Sequence, residues 1–415
     1  MIMVCLSCSP KSDRQIILRF AYPTSGDKFF QLMCSVIAEF EELHPGVTIK
    51  QHVMDSEIYQ DFGLLTLFQS GQPPDLYGQW GGWLVGRDAK FGFAADLTTV
   101  LDTLKFQGRP WRERFLSPAW SGMLYESRNF GIPTSIGITN VLWFNQTIFQ
   151  RFKLQPPHSW AALEAICQTL LAHGVTPISQ GNRTVWPMGN WAAHVVSRVA
   201  GEQAYWDVMT LKPGTRFFNS DFVRALTLFE KMFRKNYFNP GMNGRSELEG
   251  MMLFLNGRSA MHPIGSWLVG QALDEGATLA YDAFNTPHIP GGKGDSTSIV
   301  GVTFGYLISR QTPHFEWAAR FLEYLTRPEI QQRFVERGTL SSIKGAVAED
   351  DAEPHLQKIM QMIHQARVVV PPPDTGFKLD ISDAFYDAIA LVVGGQMTAE
   401  EALKQADQVV RRWRE

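Results

Sequence analysis

Residues 47–54 (VTIKQHVM) alternate apolar and polar side chains as a half-buried strand does, and 15–22 (QIILRFAY) reads as a strand ahead of it. Between them Phe29, Met33, Val36, Ile37 and Phe40 recur at helical spacing until Pro45-Gly46 stops the run. A second helix is predicted from Ile58 to Ser70, and a short third strand in PPDLYGQW, which emerges into a loop. The order β-α-β-α-β is that of a parallel sheet wrapped by helices.

Further on, FGIPTSIGITNVLWFNQTIF (130–149) is long, apolar and β-rich, with no helix before the next segment. It predicts a strand that crosses from one lobe to another. Helices follow at about 159–173, 190–200, 221–235 and 246–256, the last opened by a capping box of Ser246 and Glu249. Residues 256–271 (NGRSAMHPIGSWLVGQ) stop that helix at Gly257 and predict a buried strand over Ser259 to Met261. They break at Pro263 and Gly265 and restart on Ser266-Trp267, with Ser266 as an expected N-cap. Residues 298–309 (SIVGVTFGYLIS) read as a second crossing, and the Pro-rich VVVPPPDTGF as a third. Thr312-Pro313 opens a helix to Leu325, Thr326 to Glu329 caps the next, and Thr398 with Glu401 caps the last. The expected fold is α/β with two lobes, each a mostly parallel sheet flanked by helices, and a ligand cleft between them. Lobe 1 is expected over 15–133 plus 301–345, and lobe 2 over 134–300 plus 346–415. Hinged clefts capture ligands by closure.

A chain of 415 residues, 45% hydrophobic, has enough apolar material for two such cores. Its 38 basic and 41 acidic side chains nearly balance, and no basic stripe appears, so a nucleic-acid partner is not expected. No window of about 18 apolar residues follows the N-terminus, so no internal membrane span is expected. There is no GxSxG, HExxH or Walker loop, and the ten histidines are scattered, so neither an enzyme, nor a cofactor, nor a metal site is indicated. Cys34 and Cys167 lie on apolar helical faces far apart and read as free, buried thiols. The opening CLSC resembles the end of a bacterial lipoprotein signal, with Cys8 as the lipidated residue and 9–13 as tether. A basic n-region and most of the apolar h-region are missing, and the alternative is an unremarkable tail.

The tryptophans narrow the chemistry. Trp80 and Trp83 follow the third strand, Trp186 and Trp191 lie in NRTVWPMGNW between helices, and Trp267 follows Gly265-Ser266. Loop tips at strand ends are where ligand contacts concentrate. An indole offers a flat apolar face and one N–H donor, which suits a sugar, while nearby Asp, Asn and Ser serve its hydroxyl rim. The alternative is that these rings pack between the lobes, and Trp191 can instead start the following helix and face the core. Free N–H groups at a helix start would suit a hydroxyl or an anion equally, but the candidates include little Arg or Lys, which favours a neutral sugar.

Several stretches together carry a resemblance. They are IAEFEELHPGVTIK, FQSGQPPDLY, GFAADLTTVLD, GIPTSIGITNVLWFNQTIFQRFKLQPPHSWAALEAI, LFLNGRSAMHPIGSW, SIVGVTFGYLIS and AARFLEYLTRPEIQQRFVERGTLSSIKGA. In this order the chain resembles the extracellular solute-binding proteins of ABC importers, in the branch that binds sugars, oligosaccharides and glycerol-phosphate-like ligands. The resemblance implies a type II-like two-lobed fold, three crossings and no catalysis. It also implies a periplasmic or extracellular monomer that delivers a sugar or oligosaccharide to permease subunits driven by an ATPase, and that meets the membrane only through a lipid anchor. Ligand contacts carried over by position are Trp80, Thr139, Asn140, Trp186, Trp191, Gly265, Ser266, Trp267, Gly301 and Phe377. Asp55 and Tyr59 are further hydroxyl partners. A carbohydrate-active hydrolase using the same cleft, or a sugar-sensing subunit for a membrane receptor, remain the alternatives.

Overall fold

The computed structural model describes residues 15–24, 26–106, 108–346 and 352–413, so Cys8 lies outside the described residues. Strands β1 (Ile16–Thr24), β2 (Val47–Asp55) and β3 (Leu76–Trp80) form a parallel core in the order β3-β1-β2. Helix α1 (Asp27–Leu43) joins the first two and buries the expected Met33, Val36, Ile37 and Phe40. The helix expected from Ile58 is less regular. It begins at Ser56, because the Asp55 side chain accepts the Glu57 and Ile58 N–H groups, and it passes through a π-helical turn at Tyr59–Gly63 before continuing to Gln69. Helix α2 (Trp83–Lys90) follows β3.

β4 (Gly131–Ile138) and β5 (Val141–Asn145) make the first crossing, since they sit in different sheets and are separated only by Thr139 and Asn140. The second sheet has the order β6-β7-β5-β8, from β6 (Thr176–Ile178), β7 (Ser259–Ile264) and β8 (Tyr281–Phe284). β9 (Ile299–Ile308) returns to the first sheet, antiparallel to β3 and β4, with a bulge between Phe304 and Gly305. A Cβ on Gly305 would stand 2.2 Å from the Ile132 carbonyl oxygen, so the bulge needs glycine. The two-residue β10 (Val369–Val370) pairs with the start of β9. β7 runs three residues past its expected end, through Pro263. Pairing to β6 stops at Met261, so the proline, which has no N–H, has a ladder on one side only.

β5 shows how one strand serves two cores. Leu142 and Phe144 face a cluster formed with α3 (Trp160–Ala172), α4 (Trp186–Ala200) and α5 (Ser220–Arg234). Val141 and Trp143 face the opposite way, toward α6 (Glu247–Leu255), α7 (Leu268–Asp274) and the cluster that also contains β1 and α1. Alternate side chains of a strand point to opposite faces, which produces this division. Helices α8 (Phe315–Leu325) and α9 (Pro328–Val335) complete the first body, and α10 (Leu379–Val393) and α11 (Ala399–Val409) the second. The capping boxes at Ser246/Glu249 and Thr398/Glu401 are both formed. The cap expected from Thr326 is not: its hydroxyl donates back to the Leu322 carbonyl at 2.8 Å and accepts from Trp111 Nε1 at 3.1 Å, and α9 starts after Arg327 with no side-chain cap. Cys167 is buried and Cys34 half-buried, and both are free thiols.

Candidate ligand-binding cleft

The C-terminal ends of β2 and β3 present Asp55, Glu57 and Trp80 toward the start of α4 and the turn after β7. Trp186 and Trp267 pair there, ring centroids 5.8 Å apart and planes tilted by 52°. Both rings are half-buried. Each indole N–H is committed to a carboxylate. Trp186 Nε1 donates to Glu57 Oε1 at 3.2 Å, and Thr184 Oγ1 donates to the same oxygen at 2.7 Å. Trp267 Nε1 donates to Glu247 Oε1 at 3.1 Å. Asp55 holds the first of these acids in place, its Oδ1 accepting the Glu57 backbone N–H at 2.9 Å. Glu57 comes from the β2 end of the first sheet, and Thr184 and Trp186 from the helical body beside the second. One carboxylate therefore ties the two bodies together across the cleft.

The local sequence explains how Trp267 comes to lie there. A Cβ on Gly265 would fall 1.9 Å from the Trp267 ring, so the ring folds back over a position that only glycine fits. Beneath it, Trp143 Nε1 donates to the Ile264 and Gly265 carbonyls, both at 3.2 Å, and fixes the turn from the core side. Ser266 does not cap the following helix as expected. Trp267 occupies the cap position, with no side-chain cap bond, and the Ser266 N–H donates to the Ile138 carbonyl at 2.9 Å. That bond anchors the turn to the end of β4, which places Gly265 and Ser266 behind the ring rather than at a helix start open to anions.

The electrostatics of the pair are one-sided. Burial pushes the Glu247 carboxyl up to about 7, and the nearby charges of Glu57 and Asp55 act in the same direction, while the bond from Trp267 works against them. No Lys or Arg acts on Glu247. Asp61, a little further along the helical run, is also raised by burial and by Glu57. Carboxylates at the edges of two indoles are groups that can accept hydrogen bonds from hydroxyl donors.

The other expected contacts divide. Trp80 is half-buried and packs edge-on against Tyr59 and Phe304. Tyr59 is a correction: it is fully buried, and its hydroxyl donates to the Gly78 carbonyl at 2.8 Å, inside the first body. Trp191 is a second, since it is fully buried among Trp160, Phe229 and Phe238, one turn into a helix that starts at Trp186 instead of residue 190. Phe377 is a third, closed in by Tyr205 and Trp206. Thr139 and Asn140 are buried at the first crossing. The Thr139 N–H donates to the Val300 carbonyl at 2.8 Å, and Asn140 Oδ1 lies 3.3 Å from His194 Nδ1, so both join the crossings to each other. Gly301 faces Ile138 across the same seam, with Val369 2.8 Å from where its Cβ would be.

Glu57, Glu247 and Thr184 were missed by sequence reasoning. Glu57 lies two residues after Asp55 at a strand end, which is a usable signal. Glu247 had been absorbed into the helix opened by Ser246, and nothing in its neighbourhood along the chain points at Trp267, twenty residues on. Among the described residues, no group of His, Cys, Asp and Glu could hold a metal ion, and no helix is long and apolar enough to cross a membrane.

Comparison with known proteins agrees with this architecture. The chain is 22% identical over 384 residues to an uncharacterised ABC transporter extracellular-binding protein of Pyrococcus horikoshii, covering 90% of this chain and 81% of the relative. It is 21% identical to the multiple sugar-binding protein of Streptococcus mutans over 234 residues, 54% of each chain. Among solved structures, a chitin oligosaccharide binding protein superposes with a TM-score of 0.86 at 22% identity, covering 96% of this chain and 98% of the other. Maltose-bound MalE3 of T. maritima superposes at 0.81 and 16% identity, covering 96% and 100%. At these identities the structural likeness establishes the fold, the α/β periplasmic-binding-protein fold. The family described as bacterial extracellular solute-binding protein matches residues 31–332, and this chain belongs to that family.

Proposed function

We propose that the protein is the substrate-binding component of an ABC importer, which captures a sugar or oligosaccharide in the cleft and delivers it to the membrane permease. It is a binding protein and performs no covalent chemistry. The observation that carries the reading is the Trp186–Trp267 pair with Glu57 and Glu247 at its edge. Indole faces cover the apolar C–H surface of a sugar ring, and carboxylates accept from its hydroxyls. The first sheet and its helices form one lobe and the second sheet the other, and the ligand draws them together. Trp80, with its half-buried ring, adds a further wall. Names of relatives support the substrate class, since the similar proteins include a multiple sugar-binding protein and a chitin oligosaccharide binding protein. Cys8 is the residue that would carry a lipid anchor outside the cytoplasm.

The carboxylate lining sharpens the class to neutral sugars, because an anionic sugar would meet Asp55, Glu57 and Glu247 at the edge of the pair. A thermal-shift screen over neutral, amino and phosphorylated mono- and oligosaccharides tests this, since a ligand that binds the folded state raises its apparent stability. A rise in Tm with neutral sugars and none with phosphorylated ones is expected. Stabilisation by phosphorylated sugars alone would overturn the assignment of class.

A further inference from the structure

Away from the two tryptophans, on the flank of the first body, an apolar groove of about 390 Å³ runs between the Ser56–Gln69 helical run and α2. Its floor holds Phe68 and Phe93, ring centroids 4.6 Å apart, with Leu64 and Leu84 beside them. At its rim two large apolar side chains stand out in solvent, Leu65 at 50% exposure and Phe91 at 66%. Isolated exposed hydrophobics are ordinary, but a set gathered around one groove marks a contact surface. Helix α2's Arg87 is not free to answer a ligand there, because Asp88 binds it at 2.8 Å and its guanidinium lies over the Trp83 ring.

One wall of the groove comes from the other body. Leu379, the first residue of α10, lines it. The turn just before it, Pro373–Gly376, presses on the loop after β3 so closely that a Cβ on Gly82 would stand 2.8 Å from the Thr375 carbonyl oxygen. The groove in this form therefore exists only while the two bodies are together. Its edge is acidic from both sides. Asp61 of the helical run and Asp383 and Asp387 of α10 are all exposed, and among the described residues none of them has a Lys or Arg within salt-bridge distance. The Asp383 carboxyl is pushed up to about 6, first by burial and then by Asp387, Asp380 and Asp61, so the carboxylates of the two bodies sense one another across the seam.

We propose that this groove is where the closed protein docks on its membrane permease, and that it receives a permease segment bearing an apolar side chain flanked by Lys or Arg. The inference rests on the transport reading above. The apolar side chain fills the space over Phe68 and Phe93, and the basic groups neutralise Asp61 and Asp383. Leu379 and Asp383 belong to the second body, so the docking site is built from both bodies.

The test uses the full-length protein with its permease–ATPase complex in lipid vesicles. Leu65→Asp and Phe91→Asp place charges at exposed positions, and Asp383→Lys with Asp387→Lys reverses the α10 side of the edge. Sugar affinity by calorimetry should stay within about twofold of wild type, while the concentration needed for half-maximal ATPase stimulation should rise at least tenfold in each variant. Stimulation should also weaken as salt rises, less so in the charge-reversed variant. Sugar-loaded variants that stimulate as wild type does would overturn the groove alone. A wild-type protein that binds no sugar would overturn the transport reading and the groove with it.

Discussion

At the scale of the residue, the cleft depends on how two indoles and two carboxylates divide the work. Trp186 and Trp267 give their N–H groups to Glu57 and Glu247, which fixes both rings, and the proposed function uses their faces as the ligand surface. Trp186→Ala and Trp267→Ala should each weaken sugar binding by at least tenfold, about 1.4–3 kcal/mol, when measured by titration calorimetry. Wild-type affinity in both variants would make them packing residues only. Glu247 adds a pH dependence. Its carboxyl is raised from 4.5 to about 7 in the fold, chiefly by burial. Between those values the unfolded chain has released a proton that the folded chain keeps, so stability falls as pH rises through that window. Glu247→Gln keeps an acceptor for Trp267 and removes the buried charge. It should raise stability at pH 8 by about 1 kcal/mol, allowing for the group's partial exposure, and leave it unchanged at pH 4. Denaturant melts at the two pH values check this, and an equal effect at both would contradict it.

Elements decide whether those residues meet. The turn after β7 holds Trp267 because Gly265 leaves room for the ring and Trp143 bonds the turn's carbonyls from below. Gly265→Ala should drive the ring out of its site and break its bond to Glu247. A shift in tryptophan fluorescence and at least a tenfold loss of sugar affinity are expected, with a stability cost of about 1–3 kcal/mol. Unchanged fluorescence would show that the turn yields without moving the ring. The strand and helix signals in this region were plain in the sequence, as the capping box at Ser246 shows. The direction of each side chain was not. The sequence leaves Trp191 open between a ligand contact and a core residue at the start of a helix from about residue 190, whereas Pro187 is accommodated in the first turn of a helix that starts at Trp186. Four extra residues move Trp191 one full turn inward, where Phe229 and Phe238 enclose it.

For the whole molecule, the crossings decide how the two bodies are joined. Thr139 and Asn140 join β4 to β5 in one step, and Asn140 lies against the buried His194, whose pKa is held well below the ordinary value by burial and by Arg198. The crossings are thus packed and polar, suited to bending about a fixed seam. Small-angle scattering should show a smaller radius of gyration with a cognate neutral sugar than without it, as hinge closure requires. An identical radius with sugar bound would remove closure from the mechanism.

The sequence by itself determined the α/β character, the first crossing, the placement of strands and helices and the family resemblance. These are written in local periodicity, caps and breakers, which depend on neighbours a few residues apart. It also pointed to Trp186 and Trp267, because both stand next to Gly, Pro or Ser where helices start. Only the tertiary structure decided which carboxylates serve them and which expected contacts belong to the core. Glu57 reaches Trp186 across 129 residues of chain, and Tyr59, two positions from Glu57, turns inward to bond the Gly78 carbonyl. Two residues along a helical run point to nearly opposite sides, and which side faces the cleft depends on how the run packs against β3, a long-range contact that no local pattern encodes.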